Sequence, residues 1–152
     1  MAGLLSCTGP LAPVNTVEKT VIFRDGSEDY PFVPEDFNSG GKILLEYLDS
    51  EEDVWIEGWV VGYVSGTKMN SVVMNADEGC KASNIVICGM SDGSGTLMPV
   101  QLSTSPDSAK AVREQLNLMD NPEILGCLIR VRGRLSSYMG TVGLKSTTSV
   151  IF

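Results

Sequence analysis

The sequence contains no histidine, and its four cysteines form no Cys-x-x-Cys pair. Zinc sites in particular depend on such residues, so we expect no metal and no cofactor. Without histidine, acid–base catalysis would depend on carboxylates, lysine, tyrosine or cysteine. Asp77 and Glu78 are the only adjacent acidic pair in a predicted barrel loop, and neighbouring residues on an extended segment point apart. We therefore expect a protein that is not an enzyme.

Basic residues and long apolar runs are also scarce. The chain has 11 lysines and arginines against 19 aspartates and glutamates, and no run approaches the roughly 20 apolar residues that span a membrane. The acidity is concentrated at one end, because residues 1–52 have a net charge of −7 and residues 53–152 a net charge of −1. Nucleic acid is therefore disfavoured as a partner, although residues 53–152 are close enough to neutral to present a local basic patch.

The first residues resemble the end of a bacterial lipoprotein signal. Leu4-Leu5-Ser6-Cys7 fits the Leu-x-small-Cys pattern, in which the cysteine receives a lipid. Two prolines follow within residues 8–14, as in a tether. Residues 1–15 are thus predicted to be a signal remnant and tether, and a lipid on Cys7 would be the only contact with a membrane. The alternative is a free cysteine in a tail.

Residues 16–52 predict an N-terminal extension. It consists of a strand at 16–23 and a helical region at 34–48, interrupted at Gly40-Gly41. We expect this extension to pack on the domain that follows.

Residues 53–152 predict three strands, a helix and two more strands. The first strand, at 54–64, contains Gly58 and Gly62, and glycines inside a long strand mark bends such as the corners of small barrels. The helix follows Ser105, its expected N-cap, and carries an apolar stripe. This order is that of the OB-fold, a mainly β, five-stranded Greek-key barrel with its helix between strands three and four. An immunoglobulin-type sandwich needs about seven strands and no helix.

Alternation along the first strand places one set of residues inside the barrel and another outside. The inner set is Val54, Ile56, Val60 and Val64, and the outer set includes Trp55, Trp59 and Tyr63. The outer rings either lie beneath the N-terminal extension or form a stacking platform. Tyr138, which opens the last hairpin, is a further candidate, with packing on Leu144 as the alternative.

Three arginines alternate with apolar residues along the fourth strand and therefore share one face. They are Arg130, Arg132 and Arg134. This face either contacts a ligand such as phosphate, or one arginine pairs with Glu57, because strands four and one are neighbours in an OB barrel. The second interpretation is favoured.

Several motifs of residues 53–152 together resemble one family. They are Gly62-Tyr63-Val64-Ser65-Gly66, Asn84-Ile85-Val86, Pro99-Val100-Gln101-Leu102, Leu116-Asn117-Leu118 with Asp120-Asn121-Pro122, and Tyr138 with Gly140 and Gly143-Leu144-Lys145-Ser146. The family is an OB-like domain of unknown function in secreted and lipid-anchored proteins of Bacteroidetes bacteria. The resemblance implies the OB fold and a location at the cell envelope or outside the cell, with Cys7 lipidated. It implies no activity.

The expected function is that of a non-catalytic cell-surface module that binds carbohydrate or protein. OB domains bind ligands between the loops that join strands one to two and four to five. The candidate ligand residues are Trp59, Tyr63, Tyr138, Arg130, Arg132, Arg134 and Lys145. The alternatives are a single-stranded nucleic-acid-binding OB domain and a structural domain whose groove is filled by its own N-terminal segment.

Overall fold

The computed structural model describes residues 23–40, without the side chains of 38–40, and residues 46–152. The predicted tether with Cys7 and the predicted strand up to residue 22 lie outside the described residues. The strands are β1 (Val54–Val64), β2 (Val72–Val73), β3 (Asn84–Cys88), β4 (Leu97–Gln101), β5 (Leu128–Tyr138) and β6 (Thr141–Ile151). Helix α1 spans Asp107–Leu116, and short 3-10 helices span Pro34–Gly40, Met69–Ser71 and Pro122–Ile124.

Five of the strands close into a barrel. Their order is β1-β3-β4-β6-β5, and β5 pairs back onto β1. All of these pairs are antiparallel except β4 with β6, which is parallel and joins Val100 to Leu144. The short β2 adds to the end of β1. The mainly β class and the five-stranded barrel are therefore confirmed.

The core of the barrel is formed by residues that alternation predicts to face inward. Ile56, Ile85, Ile87, Ile129 and Leu135 are completely buried. Helix α1 packs against β6 and adds Val112 and Leu116 to the same core. Pro106, rather than Ser105, occupies the N-cap position of this helix, and no side chain caps its first turn. The expected cap by Ser105 is therefore wrong.

A bulge in β1 reverses its alternation. Val60 lies opposite Ile87 and Gly62 opposite Val86, so β1 has one residue more than β3 at this point. Beyond the bulge Tyr63 enters the core and Val64 joins a separate apolar cluster. The prediction that Tyr63 faces outward and that Val64 shares a face with Val60 is therefore wrong, because one inserted residue exchanges the two faces of a strand.

The segment before β1 runs alongside it. The Phe32 amide donates to the Trp55 carbonyl at 2.9 Å, and the Glu57 amide donates to the Phe32 carbonyl at 2.7 Å. The Phe32 ring is 2% exposed and lies edge-on against Phe37 and Tyr47. This part of the N-terminal extension therefore contributes side chains to the core.

Candidate functional site

On the outer face of the barrel, side chains of β5 lie between those of its two neighbouring strands, β1 and β6. Glu57 lies opposite Arg130, and Trp55 lies opposite Arg132. On the other side, Lys145 of β6 lies opposite Arg134. Side chains directly opposite each other in antiparallel strands share a face and touch, so the arginines of β5 meet partners from β1 and β6.

Arg130 is occupied by structural contacts. Its Nε lies 3.3 Å from Glu57 Oε1, and its Nη1 donates to the Glu28 carbonyl at 2.9 Å. Arg130 is only 8% exposed and Glu57 only 2%. The predicted pairing of Glu57 with an arginine is therefore confirmed, and Arg130 is placed where it serves the fold rather than a ligand.

Arg132 and Arg134 are accessible instead. Their side chains are 46% and 47% exposed, and both guanidinium groups face the single carboxylate of Asp53 at 3.5 and 3.2 Å. Two cations therefore share one anion, which leaves a net positive charge on the surface at this point. Exposed ion pairs of this kind contribute little to stability, so these arginines can exchange Asp53 for another partner at low cost.

Tyr138 and Lys145 form the other part of this surface. The Lys145 ammonium lies 5.5 Å from the centre of the Tyr138 ring, a cation–π distance. Tyr138 is half-buried, and this burial raises the pKa of its phenol. We call Arg132, Arg134, Tyr138 and Lys145 the basic–aromatic strip. It brings together four of the seven residues predicted to bind a ligand.

Two loops meet at the Tyr138 end of the strip. The Met69 amide donates to the Met139 carbonyl at 3.1 Å, so the loop after β1 touches the β5–β6 turn. Lys68 lies beside Gly140 in the same contact, because a Cβ on Gly140 would come within 3.8 Å of the Lys68 side chain. These are the two loops between which the sequence predicts a ligand groove.

Trp59 and Tyr63 are not part of the strip. Trp59 is half-buried on a second apolar cluster whose buried members are Val61, Val64, Val86 and Cys88. Tyr63 is 2% exposed, and its hydroxyl donates to Asp77 Oδ1. That hydrogen bond, together with burial, raises the pKa of Tyr63 to about 12. The bulge therefore turns the Tyr63 ring into the core, away from the surface on which a ligand would stack.

A Gly-x-Ser-x-Gly pattern at residues 89–93, with Ser91 at its centre, is a further motif of the chain. In serine hydrolases this pattern marks a strand-to-helix turn that presents the nucleophile. Here the five residues form the turn between β3 and β4, where Gly93 has φ +78° and the Ser94 amide donates to Asp92. The sequence also has no histidine to serve as base. The geometry is that of a hairpin turn.

The cysteines and acidic residues give no metal centre in the described part of the chain. Cys80 and Cys88 carry free thiols. Burial is the main cause that raises the pKa of both thiols. No group of three or more cysteines, aspartates or glutamates lies together within residues 23–40 and 46–152. Over the same residues, no helix has the length and apolarity needed to cross a membrane.

A match to a known protein family covers the whole barrel. A family model described as a domain of unknown function (DUF6359) matches residues 45–152. The chain belongs to the DUF6359 family. The match begins before β1 and includes every strand and the basic–aromatic strip, and it bears out the expectation of a family of unknown function. Neither a curated protein nor a solved structure matches the chain.

The site of this DUF6359 domain includes residues that sequence reasoning did not select. Trp55 was placed on the outside of the barrel but not among the ligand residues, although it lies opposite Arg132. Asp53 is expected from the sequence to lie in a solvated acidic loop, and no ligand role is expected for Lys68. The expected pairing of the first and fourth barrel strands, here β1 and β5, predicts the contact of Glu57 with an arginine. The same pairing also places Trp55 beside Arg132. Lys68 had no comparable signal, because its position depends on how a long loop folds back.

Proposed function

We propose that this DUF6359 domain is a non-catalytic binding module of OB type that holds a carbohydrate chain along the basic–aromatic strip. One observation carries the proposal: an aromatic ring and three cations, from residues up to 13 positions apart in sequence, meet on one accessible face. A tyrosine ring packs against the apolar face of a sugar, and guanidinium and ammonium groups donate to its hydroxyl oxygens.

The OB-type assignment is supported by the order of the elements. The five barrel strands follow the order one-two-three-five-four, and helix α1 lies in the chain between β4 and β5. OB domains include binders of oligosaccharides and of oligonucleotides. The strip touches the β5–β6 turn, one of the two loops that usually border the ligand in this fold.

The test is a glycan array probed with four forms of the protein. The wild type is expected to retain a subset of soluble bacterial or host glycans, and Tyr138→Ala to bind them about 5-fold more weakly, because an aromatic contact contributes about 1 kcal/mol. Tyr138→Phe keeps the ring and is expected to bind like the wild type. Tyr30→Ala removes a ring that is 47% exposed outside the strip and is the control for surface aromatics. Equal binding by Tyr138→Ala and wild type would contradict the proposal.

Single-stranded nucleic acid is the alternative ligand, and the same strip is the observation in its favour. Successive bases stack on aromatic rings, and arginine and lysine contact phosphates. The chain as a whole opposes it, with a sequence pI near 4.4 and Asp53 between the two exposed arginines. A protein ligand would instead use the apolar surface around Trp59, which includes Met69, Met90 and Met139.

We further propose that the protein is anchored at the cell envelope through a lipid on Cys7. Support comes from the Leu-x-small-Cys pattern of the sequence. The test is the mass of the Cys7 peptide from protein made in its natural host. A thioether-linked lipid is expected. A Cys7 that carries a free thiol or takes part in a disulfide would rule the anchor out.

A further inference from the structure

A cavity of about 240 Å³ opens beside Arg134 of the strip. It lies between the first turn of α1 and the middle of β6, and its wall includes Asp53, Ser108, Arg134, Thr147 and Thr148. Arg134 belongs to both the strip and the cavity. A carbohydrate chain that follows the strip can therefore continue into the cavity.

An irregularity in β6 creates this space. Arg132 lies opposite Ser149 and Arg134 opposite Lys145, so β6 has three residues where β5 has only Gly133. Gly133 permits this, because a Cβ there would come within 2.7 Å of the Lys145 carbonyl oxygen. Ser146 takes up the extra length with φ +51°. The inserted residues form the wall of the cavity rather than a regular ladder.

Two hydroxyl groups in this wall lack partners among the described residues. Thr147 is 1% exposed, and neither its Oγ1 nor that of Thr148 has a hydrogen bond. Buried polar groups are almost always hydrogen-bonded, so these two unpaired hydroxyl groups beside the cavity are unusual. Both oxygens are shielded while the cavity is empty, so a threonine side chain must rotate before an occupant can satisfy its hydroxyl. Each hydroxyl can both donate and accept.

The charges around the cavity favour a neutral occupant with many hydroxyl groups. The wall contains one carboxylate, of Asp53, and one guanidinium group, of Arg134, 3.2 Å apart, and the exposed Ser108 adds a hydroxyl at the start of α1. The Asp53 carboxylate can accept hydrogen bonds, the Arg134 guanidinium group can donate several, and the hydroxyl groups can do both. This combination matches the adjacent hydroxyl groups of a sugar. An oxyanion would be attracted by Arg134 and the helix start but repelled by Asp53.

We propose that this cavity is the subsite for one neutral sugar ring, the end residue of the chain that lies along the strip. The inference rests on the proposed carbohydrate-binding function, and it adds the place where the end residue of the bound carbohydrate lies. The volume supports a single ring, because it is smaller than the roughly 300 to 1,000 Å³ of sites for drug-sized ligands.

The experiment titrates the full chain with neutral methyl hexosides, glucuronate and inorganic phosphate, monitored by amide chemical shifts. Ser108→Phe places a ring at the cavity mouth and is expected to weaken methyl hexoside binding at least about 10-fold. Ala111→Phe adds the same ring at an exposed position of α1 outside the cavity and is expected to bind as the wild type does. Thr147→Val is expected to weaken binding about 2- to 10-fold through the loss of one hydrogen bond.

Two results would overturn the subsite. One is equal hexoside binding by Ser108→Phe and Ala111→Phe; the other is a preference of the cavity for phosphate or glucuronate over neutral hexosides. Oligosaccharide binding that depends on Tyr138 but not on Ser108 would reject the subsite and leave the proposed function intact. Weaker oligosaccharide binding by both Tyr138→Ala and Ser108→Phe supports the two proposals together. Failure of the wild type to bind any glycan would reject both.

Discussion

At the scale of single residues, the phenol of Tyr63 connects the inside of the barrel to the loop after β2. Its hydroxyl donates to Asp77, whose pKa is lowered chiefly by that hydrogen bond. The same bond raises the pKa of Tyr63 to about 12. The protonated phenol and the ionised carboxylate are therefore the forms that the folded state prefers, and each sets a limit on the pH range of stability.

Removal of this hydroxyl is expected to change the pH dependence of stability. An unfolded tyrosine ionises near pH 10 and folded Tyr63 near pH 12, so the bond stabilises fully below about pH 10 and its contribution is lost as the pH rises through about 12. Asp77, with its lowered pKa, contributes above its unfolded value and loses that contribution as the pH falls through its folded value. Urea midpoints of the wild type should therefore exceed those of Tyr63→Phe at neutral pH and converge with them at alkaline pH. A constant difference from pH 7 to 12 would contradict this.

At the scale of elements, β1 and β6 each depart from regular pairing, and both departures shape the surface. The bulge at residues 60–62 buries Tyr63 and sends Val64 to the second apolar cluster. The irregularity opposite Gly133 opens the cavity beside Arg134. Bulges near the rims of barrels commonly redirect side chains in this way.

Gly62 is required by the first of these bulges. A Cβ at this position would overlap the carbonyl oxygen of Val73, because β2 pairs with the end of β1 directly beside the bulge. We expect Gly62→Ala to lower the free energy of unfolding by about 3 kcal/mol, since backbone must move to accommodate the methyl group. Gly66→Ala is the matched control, because its methyl group meets only the movable Ser71 side chain. Similar urea midpoints for Gly62→Ala and wild type would show that β2 is not held against β1.

The sequence predicts the regular parts of these elements and not their irregularities. Alternation correctly assigns Val54, Ile56 and Val60 in β1, and Ile129, Val131 and Leu135 in β5, because a continuous ladder preserves the period of two. It fails at Tyr63, since no local pattern shows where one residue is inserted. The candidate site was predicted in part for the same reason: Arg132, Arg134, Tyr138 and Lys145 follow strand periodicity, whereas the cavity depends on unequal spacing of two strands.

At the scale of the whole molecule, the segment before β1 is part of the folded unit. Phe32 pairs with β1 through its backbone, and Arg24 forms an ion pair with Asp36 at 2.7 Å. Glu35 accepts from the Thr96 amide at 2.9 Å and so joins this segment to the β3–β4 hairpin. The segment also reaches β5, because Arg130 donates to the Glu28 carbonyl and Ser136 Oγ donates to Asp49 Oδ1 at 2.9 Å. The side chains of Arg132 and Arg134 nevertheless remain 46% and 47% exposed.

Truncation of Phe32 tests how far the barrel depends on this segment. Phe32→Ala is expected to cost about 3 to 5 kcal/mol of the free energy of unfolding, because its ring is 2% exposed and packs against two other rings. Phe23→Ala is the control, since the Phe23 ring is 66% exposed and its loss should cost less than about 0.5 kcal/mol. Equal urea midpoints for the two variants would mean that the segment merely lies on the barrel.

The most direct test of the proposed function is to titrate the wild-type protein with array-selected glycans and with a mixed-sequence single-stranded oligonucleotide, each at 50 and 500 mM salt. Intrinsic fluorescence is the readout, and it comes from Trp55, which lies opposite Arg132, together with Trp59. Phosphate contacts release counterions and weaken steeply with salt, whereas hydrogen bonds and stacking on sugars do not. We predict glycan binding that changes less than about threefold between the two salt concentrations and is about 5-fold weaker in Tyr138→Ala. Oligonucleotide binding that falls steeply with salt, without any glycan response, would contradict the carbohydrate assignment and make the strip a nucleic-acid surface.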